Sequence, residues 1–100
     1  MDVLQILVGS IIQMVEIIHD YLQLTFTDGT ILNIYNKYQY DGESVLTFEG
    51  KKLISAIETD IKIILDIEDG GKIEVGLLDE DYNGPEAMEL IRKDEPPVVW

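Results

Sequence analysis

Two stretches of the chain spell nearly the same alternation of apolar and polar residues. Leu22–Ile34 reads L-Q-L-T-F-T-D-G-T-I-L-N-I, and 41 residues later Ile63–Val75 reads I-I-L-D-I-E-D-G-G-K-I-E-V. Leu22/Ile63, Leu24/Leu65, Phe26/Ile67, Leu32/Ile73 and Ile34/Val75 match, as do Asp28-Gly29 and Asp69-Gly70. Alternation with a period of two, in a stretch rich in Ile, Leu, Thr and Phe, predicts strands. Each Asp-Gly pair predicts a tight turn, because Asp tolerates positive φ and Gly is indifferent to it. Keeping each apolar stripe on one face favours a three-residue loop, Asp28-Gly29-Thr30, that pairs Phe26 with Leu32 and Leu24 with Ile34. The same loop at Asp69-Gly70-Gly71 pairs Ile67 with Ile73 and Leu65 with Val75.

The repetition extends upstream. Leu7-Val8-Gly9 matches Phe48-Glu49-Gly50 at the same spacing, and Ile12, Val15 and Glu16 match Ile54, Ile57 and Glu58 after a slip of one residue. The repeats thus span about 7–35 and 48–76. Each predicts three strands: Ile11–Ile17, Tyr21–Thr27 and Thr30–Tyr35, then Leu53–Glu58, Ile61–Glu68 and Lys72–Leu77. Between them Ser44–Phe48 reads as one more short strand. After them Ala87–Arg92 and Val98–Trp100 read as a closing hairpin, with Pro96 and Pro97 confining it to a sheet edge. The predicted fold is all-β and a single domain over 1–100. It is an antiparallel sandwich or partly open barrel, built from two repeated three-stranded meanders plus a C-terminal hairpin, about a pseudo-two-fold axis.

Composition fits such a core. The chain has 100 residues, 46% of them hydrophobic, which is too apolar for a disordered segment. The formal charge of −13 therefore belongs to the surface. It is uneven: residues 1–40 hold the acids Asp2, Glu16, Asp20 and Asp28 against Lys37, while residues 41–100 hold sixteen acids and six bases. Such a surface repels nucleic acid and anionic lipid and attracts a basic protein. The outer face of the first hairpin (Gln23, Thr25, Thr27, Asn33) is uncharged and could be covered by a second subunit. That of the second carries Ile64, Asp66, Glu68, Lys72 and Glu74.

Chemistry is sparse. There is no cysteine, so disulfides, thiolate ligands and thiol nucleophiles are excluded, which fits a reducing compartment. The apolar run Val3–Ile18 is interrupted by Gln5, Gly9, Ser10, Gln13 and Glu16, and reads as neither signal peptide nor membrane span. The expected location is the cytoplasm of a prokaryote. His19 is the sole histidine, beside Asp20 in a loop, without the nucleophile and orienting partner a general base needs. Ser10, Ser44 and Ser55 lack a nucleophile-elbow context. No phosphate-binding or dinucleotide fingerprint occurs, and no cofactor and no enzymatic activity is expected. Asp79-x-Asp81-x-Asn83-Gly84 matches the opening of a calcium loop, but Ala87 and Leu90 stand where further ligands belong. A Ca-binding domain is accordingly the lesser alternative.

Tyr35, Tyr38 and Tyr40 lie close together beside Asp41 and Glu43, a combination suited to an interface. In size, acidity and lack of catalytic groups the whole chain resembles the small bacterial immunity proteins made against polymorphic or contact-dependent growth-inhibition toxins. The likeness is one of type, without a diagnostic motif. It implies a protein partner with a basic surface, a toxin domain and often a nuclease, whose active site is occluded. By that resemblance the contact set is Tyr38, Tyr40, Asp41, Glu43, Asp66, Glu68, Glu74, Asp79, Glu80, Asp81 and Tyr82. A homodimeric structural module is the second reading.

Overall fold

The computed structural model describes residues 3–100; Met1 and Asp2 lie outside the described residues. Nine strands follow one another: β1 (Ile12–Ile18), β2 (Tyr21–Phe26), β3 (Ile31–Ile34), β4 (Tyr38–Asp41), β5 (Leu53–Glu58), β6 (Lys62–Ile67), β7 (Gly71–Gly76), β8 (Met88–Ile91) and β9 (Val98–Val99). They form two antiparallel sheets, ordered β1-β2-β3-β8-β9 and β4-β7-β6-β5. Short 3₁₀ turns and loops connect them, with no α-helix among the described residues. The sheets face each other as a sandwich and do not close into a barrel; a lone bridge between Ile11 and Lys52 links their edges.

Alternation decides which face is buried. Leu22, Leu24 and Phe26 on β2, and Ile63, Leu65 and Ile67 on β6, point into the core, while the residues between them are partly exposed. Full burial of such a side chain contributes about 1.5–3 kcal/mol. The register pairs Leu22 with Ile34 and Leu24 with Leu32, then Ile63 with Val75 and Leu65 with Ile73. This lies two residues from the expected pairing. The three-residue loops are Thr27-Asp28-Gly29 and Glu68-Asp69-Gly70, not those starting at the aspartates. Phe26 N–H donates to the Thr30 carbonyl at 2.8 Å, and Gly29 takes φ +90°. A shift of two preserves the face of every side chain, so the apolar pattern could not decide between the registers.

The expected slip between the repeats is absent. Ile12 and Val15 are buried on β1, and Leu53 and Ala56 on β5, all at the constant spacing of 41 residues. Both strands carry a bulge at the same place, between Ile12 and Met14 and between Leu53 and Ser55. An inserted residue turns the local burial period from two to three. That leaves Ile54 and Ile57, the residues aligned by the slip, on the exposed side.

Two further expectations change around residues 36–48. Tyr38–Asp41 is a strand: β4 pairs with β7 through Tyr38–Val75 and Tyr40–Ile73. Ser44–Phe48 is not a strand. It holds the 3₁₀ turn Val45–Phe48, capped by Ser44 Oγ, which accepts from Leu46 N at 3.2 Å. This turn covers the free edge of β1, where Glu49 accepts from Val15 N at 2.9 Å. Its counterpart, Val3–Leu7, lies along β5, with Gln5 Nε2 donating to the Ala56 carbonyl.

Each repeat therefore contributes a 3₁₀ turn and four strands, and the fourth strand crosses over. β4 leaves the first repeat for the second sheet, and β8 leaves the second repeat to pair with β3 through Ile34–Met88 and Leu32–Leu90. The backbone bonds at the axis are reciprocal. Gly9 N donates to Leu53 O and Gly50 N to Ile12 O; Leu53 N donates to Ser10 O and Ile12 N to Lys51 O. Adding 41 to the first-repeat residue of one bond and subtracting 41 from its second-repeat residue gives the mate. The C-terminal hairpin β8–β9 is present, and Trp100 Nε1 reaches Glu58 at 3.2 Å. No helix among the described residues is long and apolar enough to cross a membrane.

Candidate functional site

The repeats differ most in the approach to the crossing strand. Tyr38 and Met88 hold corresponding places, paired to Val75 and Ile34, yet stand 50 residues apart instead of 41. The nine extra residues fall between β7 and β8 and build a loop at one end of the sandwich.

That loop is fastened to the linker between β3 and β4. Lys37 N donates to Asp81 O at 2.9 Å, Gly76 N to Lys37 O at 3.0 Å, and Asn83 Nδ2 to Tyr35 O at 2.8 Å. The Asp81 carboxylate folds back to accept from Leu78 N at 3.1 Å. It lies over Gly76, where a Cβ would stand 2.1 Å from Asp81 Oδ2, so only glycine admits this approach.

Between the loop, the β1–β2 turn and the β5–β6 turn lies a cleft of about 620 Å³. Asp20, Asn36, Lys37, Tyr38, Ile61 and Asp81 contribute to its walls, with Lys62 and Glu74 paired beside them at 2.8 Å. Lys62 holds the Glu74 carboxyl below its ordinary value. A smaller hollow of about 250 Å³ continues from it through Asp20 and Asn83 to Tyr21 and Tyr35. Those two rings meet edge to face at 5.1 Å, and Tyr35 Oη donates to Glu89 at 2.8 Å. Burial, then the Glu89 contact, pushes the Tyr35 hydroxyl up to about 12. Burial likewise raises Tyr38, with Tyr40 adding to it.

Asn36 is the unusual residue of the cleft. It is 2% exposed, and its Nδ2 donates to Gly76 O at 2.7 Å, while its Oδ1 is buried without a hydrogen-bond partner. Flipping the amide would set oxygen against the Gly76 carbonyl, so the orientation is fixed by that bond. An unmade buried acceptor costs about 1–3 kcal/mol, and this oxygen is closed off from solvent. The surrounding loops carry Asp20, Asp60, Asp79, Glu80, Asp81 and Glu86 against Lys37. The rim of the cleft thus carries an excess of carboxylates.

Of the residues singled out from sequence, Asp79, Glu80, Asp81, Tyr38 and Glu74 gather at this end. Tyr82 packs against the core. Tyr40 and Asp41 continue along β4 past Lys72, lining a hollow of about 380 Å³ with Tyr38 and Glu74. Glu43 is exposed beyond β4. Asp66 and Glu68 lie farther along the second sheet: Asp66 accepts from Ser55 Oγ at 2.7 Å, and Glu68 from Lys52 N at 3.1 Å. Across that face Asp41, Lys72 and Asp66 alternate in sign. It is a mixed surface rather than an acidic one.

The Asp79, Asp81 and Asn83 side chains do not converge as calcium ligands. Asp81 caps Leu78, and Asn83 turns its amide to Tyr35. Among the described residues no group of three or more His, Cys, Asp or Glu is placed to hold a metal ion. His19 sits exposed in the β1–β2 turn at φ +55°. Sequence reasoning passed over Asn36, and weighed Asn83 only as a calcium ligand and Asp20 only as a neighbour of His19; the signal that could have drawn them together is the insertion that interrupts the repeat. No protein-family model, curated protein or solved structure matches the chain, so its functional reading rests on this geometry.

Proposed function

We propose that the chain is a small acidic binding protein, not an enzyme, that neutralises a basic protein partner, as an immunity protein occludes the active site of its cognate toxin. The observation that carries this reading is the cleft end of the sandwich, whose loops are crowded with carboxylates against Lys37. An arginine of the partner suits it best. A guanidinium offers several donors in one plane, enough for two flanking carboxylates together. The acidic rim would steer the encounter, and Tyr38 beside the cleft would add contact area. A toxin that handles nucleic acid would present such a cationic surface, and the carboxylates would stand where phosphates otherwise lie. On this reading both partners meet in the cytoplasm.

Affinity capture from the cell of origin at low ionic strength, with identification of what is retained, tests it. The reading expects a basic protein whose association slows steeply with salt. Removing charge with Asp20→Asn, Asp79→Asn and Glu80→Gln together should slow association about tenfold or more. A retained partner that is neutral or acidic, or an association rate indifferent to both salt and these substitutions, would sink the reading.

A further inference from the structure

The two repeats serve as internal controls for each other, and one of the surfaces that break the correspondence lies on the second sheet; β1 carries its own exposed Ile11, Met14 and Ile17 against Lys52, Ser55 and Glu58. Ile6, Ile54 and Ile57 are 48–50% exposed, and Ile64 is partly exposed. At the spacing of 41 their counterparts are Thr47, Gln13, Glu16 and Gln23, all polar. The same backbone positions thus carry polar side chains on one repeat and isoleucine on the other, so the fold does not require isoleucine there. The isoleucines are also adjacent. Ile57 and Ile64 are cross-strand partners on β5 and β6, Ile54 shares a hollow with Asp66 on the outer face of the second sheet, and Ile6 belongs to the turn lying along β5.

We infer that this face binds a second copy of the chain. Charge selects that occupant. At −13 overall, two copies repel wherever carboxylates dominate. The outer face of the second sheet instead holds Asp41, Asp66, Glu68 and Glu74 with Lys62 and Lys72, a mixture of both signs beside the uncharged isoleucine strip. A face carrying both signs can complement its own two-fold image, as an isologous interface demands. A strongly basic partner finds its complement at the cleft end, not here. The two surfaces border on each other at Lys62 and Glu74, but Ile54, Ile57 and Ile64 lie outside the cleft, so the inference stands apart from the partner reading.

Sedimentation equilibrium of the full chain tests it, using Ile54→Gln/Ile57→Glu, which copies the other repeat, and the uncharged Ile54→Gln/Ile57→Gln. The wild type should be dimeric by about 100 µM, and self-association should strengthen with added salt as like charges are screened. Both variants should keep the wild-type circular dichroism and associate at least about a hundredfold more weakly, each substitution counting twice across the two-fold. A wild type that stays monomeric up to about 500 µM overturns the inference and frees the face for another partner, and so does a dimer that persists in either folded variant.

Discussion

At the scale of single residues, the two repeats solve the same packing problem with different side chains. A Cβ on Gly71 would meet the Phe48 ring at 2.6 Å; the corresponding residues of the first repeat are Thr30 and Leu7. The large ring and the missing side chain compensate each other. Gly71→Ala should therefore destabilise by about 1–3 kcal/mol through overpacking. Adding Phe48→Leu should recover part of that loss, a coupling that urea denaturation of the single and double variants measures. Additive losses would refute the pairing. Tyr35 offers a second test. Its hydroxyl ionises near 12 against an ordinary 10.0. Across that interval the folded chain keeps a proton that the unfolded chain has released, so stability falls as pH rises through the interval. Below it the contribution is complete. Titration of tyrosine absorbance should show a late component that Tyr35→Phe removes. None of these details is legible in sequence, since Gly71 reads as an ordinary turn glycine and Asn36 as a linker residue, and neither shows its neighbour.

At the scale of elements, the phase of each hairpin was legible because alternation fixes which side chains face inward. The register was not, since a two-residue shift changes no face. The paired bulges of β1 and β5 were also hidden. They bury Ala56 and expose Ile57, against what hydrophobicity alone suggests. β4 escaped notice because Tyr-Gln-Tyr-Asp gains its meaning only beside β7. The crossing of β4 and β8 makes the loop between β7 and β8 separable from the scaffold, for the first repeat manages the same connection without the nine extra residues. Replacing residues 78–86 by a short glycine-containing link should leave a folded sandwich. It would lose the packing of Tyr82 and the Asn83 bond to Tyr35, a cost of about 2–4 kcal/mol, and the cleft with them. Heteronuclear spectra would show whether the dispersed strand signals survive. If they collapse, the loop is part of the folding core and not an addition to it.

At the scale of the whole molecule, charge and shape act against each other. The chain carries −13 within a radius of gyration of 12.4 Å. The ion pairs shown are Lys51–Asp69 and Lys62–Glu74, both partly or well exposed, and exposed pairs add little. Repulsion among the remaining carboxylates is then a standing cost of the compact state, smaller in the expanded unfolded chain. Its range is set by salt, with a screening length of about 30 Å at 0.01 M and about 3 Å at 1 M. The first exceeds the radius of gyration and the second is well below it. Raising sodium chloride across that range should therefore stabilise the fold, by about 1 kcal/mol or a rise in Tm of about 4–8 °C for a domain of this size. Binding of a basic partner should weaken over the same range, because the steering field is screened along with the self-repulsion. Differential scanning calorimetry at several salt concentrations decides the first half. A Tm that is flat or falls with salt would mean that the carboxylates are locally compensated, and the acidic cleft end would then lack the field needed to draw in a basic partner.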